Sequence, residues 1–362
     1  MTSHKNKLSI LVVVYQMPRQ ALNTLYSLSV PYQKNVSVDD YEVIVVENKS
    51  RHNLKESDVL ALGSNFRYFL REESGVSPVP AVNFGFEQSR GDLIGLIIDG
   101  ARMVTPRVVE YALLGFQLSK DALVMVPGYH LGEQDQKFHL DSGHSEAKEI
   151  QKLKELHWQE NGYRLFQFAA WSSSNQRGYF QPMQECSCLF TSRKNFLAIG
   201  RADERFSLPG GGSINLHIYR KLGLLPHSRL FVLPGEGSFH QFHGGITTQQ
   251  LADNDARQAT LKQFDQQLDE IWGGEFKALT REPLMLGAVT RWAQPFLARA
   301  SELASTRFGR LTQNHKAFWE DDAHIGYFTE NDVSVLQDNY SAPDMKALFP
   351  SAVTQGQTKN TE

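Results

Sequence analysis

An apolar run, Asp92-Leu-Ile-Gly-Leu-Ile-Ile-Asp99, ends on a carboxylate and is followed by Gly100-Ala101-Arg102. A buried strand that stops on an acid presents it at the strand's carboxyl end, the edge at which open α/β sheets bind ligands. There Asp99 could hold a metal ion, a ribose or a substrate hydroxyl. Asp-Gly is also a common turn pair, so an ordinary exposed turn stands beside that reading. The only two cysteines, Cys186 and Cys188, lie in a strand-like run and point the same way. One such pair cannot build a structural zinc site and is poorly spaced for a disulfide, so two buried free thiols in a reducing compartment are expected.

The elements that would position Asp99 alternate through the first half of the chain. Leu8–Tyr15 and Tyr41–Val46 are apolar strands, the second ending on Glu47, and Phe66–Leu70 is a shorter one. Between and after them the pattern predicts helices from Pro18 to Leu28, over Leu54–Leu62 and over Pro80–Ser89, with Pro18 suited to a first helical turn. Thr105-Pro106 reads as the N-cap and N1 pair of a helix reaching Gln117, and Leu123–Val126 as the next strand. Apolar strands alternating with helices predict a mostly parallel central sheet covered on both faces. The stretch Tyr129–Phe180 is polar and aromatic, with one charged helix over Glu146–Leu156, and reads as a long irregular insert. Strand character returns at Glu185–Ser192 and helix at Ser213–Leu222. Two longer helices are expected over Asp255–Trp272 and Leu286–Phe308, the second kinked at Pro295. Its apolar residues Trp292, Phe296, Leu297, Leu303 and Phe308 read as core or as an oligomer contact.

Length and composition bound the function. The 362 residues suffice for one large domain or two ordinary ones, and the net charge of -3 gives no electrostatic case for a nucleic-acid partner. No apolar stretch has the length of a membrane span, and Leu8–Tyr15 is too short and too β-branched for a signal peptide, so a cytoplasmic protein is expected. The polar tail from Ser341 is expected to be largely disordered. No Gly-x-Gly-x-x-Gly follows the first strand, which disfavours a dinucleotide-dependent dehydrogenase.

Several separated segments, taken in order, resemble the family 2 glycosyltransferases of the GT-A fold. Leu8-Ser-Ile-Leu-Val-Val-Val-Tyr15-Gln16 is similar to that family's opening strand and nucleotide loop. Tyr41-Glu-Val-Ile-Val-Val-Glu47-Asn48-Lys49-Ser50 resembles its second strand, and Pro80-Ala-Val-Asn83-Phe-Gly85-Phe its Ala-x-Asn-x-Gly helix. Gly91 to Asp99 resembles its Gly-Asp-Tyr-x-x-x-x-Asp strand. Ile199-Gly200-Arg-Ala-Asp203-Glu204-Arg205-Phe206 and His240-Gln-Phe-His243-Gly244-Gly245 resemble two later segments. The resemblance covers Leu8 to Thr248. It implies a GT-A-like, Rossmann-like domain over residues 1–250 with an acceptor-side insert at 129–180; outside the resemblance, the chain's own pattern gives a helical extension over 251–340 and a tail over 341–362. The resemblance also implies a nucleoside-diphosphate sugar as donor, with a glycan, lipid or small molecule as acceptor. By the same resemblance Tyr15 lines the base pocket, Glu47 faces the base or ribose, and Asn83 either orients the loop carrying Asp99 or acts as a structural amide.

Two departures from the family bear on chemistry. The usual Asp-x-Asp is Asp99-Gly100-Ala101, so the firmer metal ligand is missing. Asp99 with His243 is then the candidate pair for Mg or Mn. Alternatively Arg102, whose guanidinium matches phosphate oxygens with two donors, stabilises the leaving group with little or no metal. The family's Gly-Glu-Asp base segment is replaced by Gly210-Gly211-Gly212-Ser213, which removes the usual general base. Asp203, Glu204, Glu236 and His240 are the candidate replacements. Gly211 and Gly212 could instead present backbone N–H groups to an anion beside a helix N-terminus, or simply form a turn that Ser213 caps. Three functions follow: an inverting glycosyltransferase, a nucleotide-sugar-binding protein or partner subunit without activity, and a sugar-phosphate nucleotidyltransferase.

Overall fold

The computed structural model describes residues 8–133, 144–175, 178–243, 254–274 and 279–302. The Gly244–Gly245 turn, the helical end at Leu303 and Phe308, and the tail from Ser341 lie outside the described residues. The architecture is mixed α/β. An eight-stranded sheet has the order β12-β10-β6-β9-β4-β1-β2-β3, with β1 Leu8–Val14, β2 Tyr41–Asn48, β3 Phe66–Arg71, β4 Leu93–Ile97, β6 Ala122–Met125, β9 Cys188–Ser192, β10 Arg229–Val232 and β12 Leu284–Met285. All its pairings are parallel except those of β9, which runs antiparallel between β4 and β6. The mostly parallel sheet expected from the alternation of elements is present.

Every residue of β1 and β2 is buried. That is why these strands read as unbroken apolar runs: a parallel sheet is covered on both faces. Leu8, Ile10, Val12 and Val14 point into one core with α1 (Pro18–Ser27), α2 (Glu56–Leu60) and α4 (Val108–Leu118); Leu11 and Val13 point into the other with α3 (Val79–Gln88), α6 (Arg193–Ala198) and α7 (Ile214–Leu224). Both cysteines are buried and unbridged. Burial pushes the Cys186 thiol up to about 12.

Four features differ from the sequence expectations. The insert is not irregular throughout: β7 (Gly128–Leu131) and β8 (Ala169–Trp171) join β5 (Arg102–Val104) and β11 (Ser238–His240) in a second sheet of order β5-β11-β7-β8. Its charged helix, α5 (Glu146–Leu156), forms as expected. Thr105-Pro106 does not start α4, whose N-cap is Arg107. Thr105 instead continues the second sheet, its N–H bonded to Gly237 O at 3.1 Å and its hydroxyl accepting from Gly237 N at 2.9 Å. Ser213 precedes α7 but makes no side-chain capping bond.

The fourth difference concerns the C-terminal region. After α8 (Asn254–Trp272), the residues expected to begin a helix at Leu286 leave a short strand that extends the main sheet, Leu284 and Met285 pairing with Phe231 and Val232. The last described helix, α9, spans 294–302, so Pro295 lies in its first turn and produces no internal kink. Phe296 of α9 is 1% exposed and packs on Tyr129, Phe166 and Trp171, at ring separations of 4.8, 5.4 and 6.0 Å. Among the described residues, no helix is long and apolar enough to cross a membrane.

Candidate metal and donor site

Asp99 lies two residues beyond β4, at the carboxyl edge of the parallel strands. Its Oδ1 accepts the Ala101 N–H at 3.0 Å, a local turn that bends the chain and leaves Oδ2 facing outward from it. Gly100 is required there: a Cβ would sit 2.9 Å from the Val13 carbonyl oxygen and 3.0 Å from a Val14 methyl. Ala101 is fully buried.

The second sheet brings the remaining groups. Arg102 begins β5 and stands opposite His240 of β11, which in turn stands beside His130 of β7. Cross-strand partners share a face, so Arg102, His240 and His130 stand in a row, and the first two meet Asp99. Asp99 Oδ2 is 2.8 Å from His240 Nε2 and 3.6 Å from Arg102 Nε. His243, three residues beyond His240, returns its Nε2 to 3.7 Å from Asp99 Oδ1 and 3.0 Å from His240 Nε2. The His240 ring meets those of His130 and His243 edge-on, with centroids 5.3 and 4.9 Å away.

The ligand atoms of Asp99, His240 and His243 all lie within 4.8 Å of one another. Burial holds the His240 imidazole down to about 3, against the pull of Asp99, so at neutral pH it is uncharged and keeps a lone pair. Burial opposes ionisation of Asp99 as well, but the two imidazoles facing it outweigh that and hold its carboxyl well below the usual range. Two imidazoles and a carboxylate are a recognised donor set for a divalent transition metal. Bonds of about 2.1 Å to such an ion place adjacent octahedral ligands about 3.0 Å apart. The 2.8 and 3.0 Å separations match that spacing, and the 3.7 Å one is wider. A single imidazole proton at His240 Nε2 cannot serve both the carboxylate and the facing His243 nitrogen in good geometry, whereas a cation satisfies all three. The residues present fit a bound ion.

Other sequence-selected residues are dispersed. Tyr15 follows β1 at the same edge, next to Asp99 in strand order, and is 51% exposed. Glu47, next to last in β2, lies near that edge too but is fully buried: Oε2 accepts the Leu54 N–H at 2.9 Å and the Tyr68 hydroxyl at 2.6 Å. Asn83 is bonded to the loop after α6. It accepts from Ala202 N at 3.2 Å and donates to Ala202 O and to Glu204 Oε1, each at 3.0 Å. Asp203 is paired with Arg205 at 2.6 Å, which lowers its pKa, while Glu204 is exposed. Glu236 is buried against Tyr163 and the Arg107 backbone. Gly211 and Gly212 have φ of +79° and +53°; a Cβ on Gly211 would strike Ile214 and Pro78, and Gly212 faces Phe264 and Gln267 of α8. That glycine turn therefore packs between α3 and α8.

Sequence reasoning paired Asp99 with His243 and treated His240 only as a base. The His-x-x-His spacing was the available signal for a two-imidazole site. His130 carried no such signal, because only strand pairing brings it alongside.

No family model matches the chain, and no curated protein is similar to it in sequence. Among solved structures, the crystal structure of S. aureus TarS is similar at a TM-score of 0.41 and 12% identity, over 81% of this chain and 48% of that one. The chain thus spans about half the length of that protein. A crystal structure of S. aureus TarS 1-349 in complex with UDP-GlcNAc is similar at a TM-score of 0.43 and 12% identity, over 81% of this chain and 79% of that one.

Proposed function

We propose that this protein is a GT-A-like glycosyltransferase of family 2 type, transferring a sugar from a nucleoside-diphosphate donor to a glycan, lipid or small acceptor with inversion. The observation that carries the reading is the Asp99–His240–His243 cluster, with Arg102 beside it, at the carboxyl edge of a parallel sheet. The ordered sequence resemblance, which includes the segments that carry Asp99, His240 and His243, supports the same reading.

In this reading Asp99, His240 and His243 hold a divalent ion, Mn or Mg. The two imidazole nitrogens favour Mn over Mg, which prefers oxygen ligands. The ion's contribution is neutralisation of charge on the departing diphosphate. Arg102 adds a fixed positive charge on the same side. At about 4 Å, an opposite-charge pair is worth on the order of 4 kcal/mol at an effective dielectric near 20, before desolvation. Tyr15, exposed at the end of β1, offers a ring for a base to stack on. In-line attack also requires a group that takes the acceptor proton. Glu204 is the candidate carboxylate that is exposed and is held by an amide, whereas Asp203 is bound to a guanidinium and Glu236 is enclosed. His240 serves the ion.

The test is donor hydrolysis and sugar transfer against a panel of UDP- and GDP-sugars, with Mn, with Mg and with EDTA. Turnover that needs a divalent ion and is lost in Asp99→Asn supports the reading. Turnover indifferent to EDTA would return the leaving-group charge to Arg102 alone. Donor binding without turnover under any condition would mark a nucleotide-sugar-binding protein. Pyrophosphate release from a sugar phosphate and a nucleoside triphosphate would mark a nucleotidyltransferase.

A further inference from the structure

The two histidines are separated by Gln241 and Phe242, and this short link is tied down from three sides. Gln241 N donates to Ala101 O at 2.8 Å, joining the link to the loop that carries Asp99. The Gln241 side chain donates to Gln20 O at 2.8 Å and to Thr24 Oγ1 at 3.3 Å, and accepts from Asn23 Nδ2 at 2.8 Å, all on α1. The Phe242 carbonyl accepts from Gln20 Nε2 at 2.8 Å, and the Phe242 N–H donates to Glu149 Oε2 at 2.7 Å. Glu149 belongs to α5, is fully buried and also faces Arg19 Nη2 at 3.4 Å and His144 Nε2 at 3.8 Å.

A carboxylate is costly to bury unless its bonds are made. This one makes its shortest bond to the N–H of Phe242, the residue that precedes His243. His243 lies three residues beyond the end of β11, outside the strand pairing that fixes His240. We propose that Glu149 is a positioning residue for His243: through the Phe242 N–H it holds the second imidazole at ion-binding distance from His240 and Asp99 before any ion arrives. This rests on the metal reading of the three-residue cluster. Groups that orient metal ligands from behind change affinity by about tenfold to a hundredfold when removed. The assignment gives α5 a part in the site although the cluster's own ligand atoms come from Asp99, His240 and His243.

The experiment is Mn titration of the full chain by calorimetry and electron paramagnetic resonance, alongside thermal melts without metal. Glu149→Ala is expected to weaken Mn binding about tenfold to a hundredfold, whereas Glu149→Gln, which keeps an acceptor for the Phe242 N–H, stays within about threefold of wild type. A purely structural Glu149 would lower the melting temperature in both variants and leave the affinity of the folded protein unchanged; that result overturns the proposal. So does a Gln variant as impaired as the Ala variant. Should Glu149→Ala not fold, Glu149→Asp keeps the charge but draws the oxygens back by about one bond length, roughly 1.5 Å, and must show a loss of at least about tenfold. Wild-type affinity in Glu149→Asp overturns the proposal. A wild-type protein that binds no Mn removes the metal reading and this proposal with it, whereas binding that is equal in wild type and variants removes the proposal alone.

Discussion

Glu236 sits in the turn between β10 and β11 with only 1% of its surface exposed. It accepts the Tyr163 hydroxyl at 2.8 Å and the Arg107 N–H at 3.3 Å. The nearest guanidinium gives it little, because Arg107 forks Glu110 with contacts of 2.6 and 2.8 Å. Burial pushes the Glu236 carboxyl from 4.5 up to about 7, outweighing the hydrogen bonds that favour its charged form. A carboxyl raised in the folded state favours folding while it is protonated. Its contribution is therefore fully present below about pH 4.5, the unfolded value, and is lost as pH rises through about 7. Between pH 5 and pH 8 the loss amounts to about 2.5 kcal/mol, at 1.36 kcal/mol for each factor of ten in proton affinity. Glu236→Gln removes the titration and keeps a neutral side chain of the same shape. It costs some stability at low pH, where one donor loses its acceptor, and closes the gap to wild type as pH rises. For a chain of 362 residues the wild-type melting temperature should fall between pH 5 and pH 8 by about 3 °C more than that of the variant. Calorimetric scans of both proteins across that range measure the difference directly. Parallel pH profiles would refute the reasoning, since they would mean that Glu236 is solvated or is paired with a charge.

Asp99→Asn should weaken Mn binding by about a hundredfold or more in calorimetric titration, because it removes the only anionic donor of the cluster. Gly235→Ala would drive a methyl into the Ala288 carbonyl. It should cost about 1–3 kcal/mol in denaturant unfolding and expose the segment 284–302 to limited proteolysis. Asn83→Ala strands both the N–H and the carbonyl of Ala202, and should lower stability by about 1–3 kcal/mol, read as a shift in the urea midpoint.

The main sheet was legible because its determinants are local. Apolar runs such as Leu8–Val14 and Tyr41–Asn48 are long enough to be strands buried on both faces, and residues such as Pro18 mark where helices begin. Where the reading failed, a distant partner had overridden a local preference. Thr105-Pro106 is a sound helix start, yet Thr105 is bonded to Gly237 and α4 begins later. Leu284 and Met285 are claimed by the open edge of β10, and Gly287, at φ +96°, turns the chain out of that pairing. The second sheet consists of short strands from four separate parts of the chain, and no period within any of them announces their pairing.

The same division runs through the site. From sequence alone came the placement of Asp99 at a strand's carboxyl end and the arginine three residues after it, since each depends on residues near in the chain. Only tertiary structure could decide that His240 and His243 both turn to Asp99, that Glu47 is sealed by Leu54 and Tyr68, and that Glu149 reaches across to the Phe242 amide. Those contacts join segments far apart in the chain, and their geometry follows from strand register and helix packing, to which every buried side chain contributes at once.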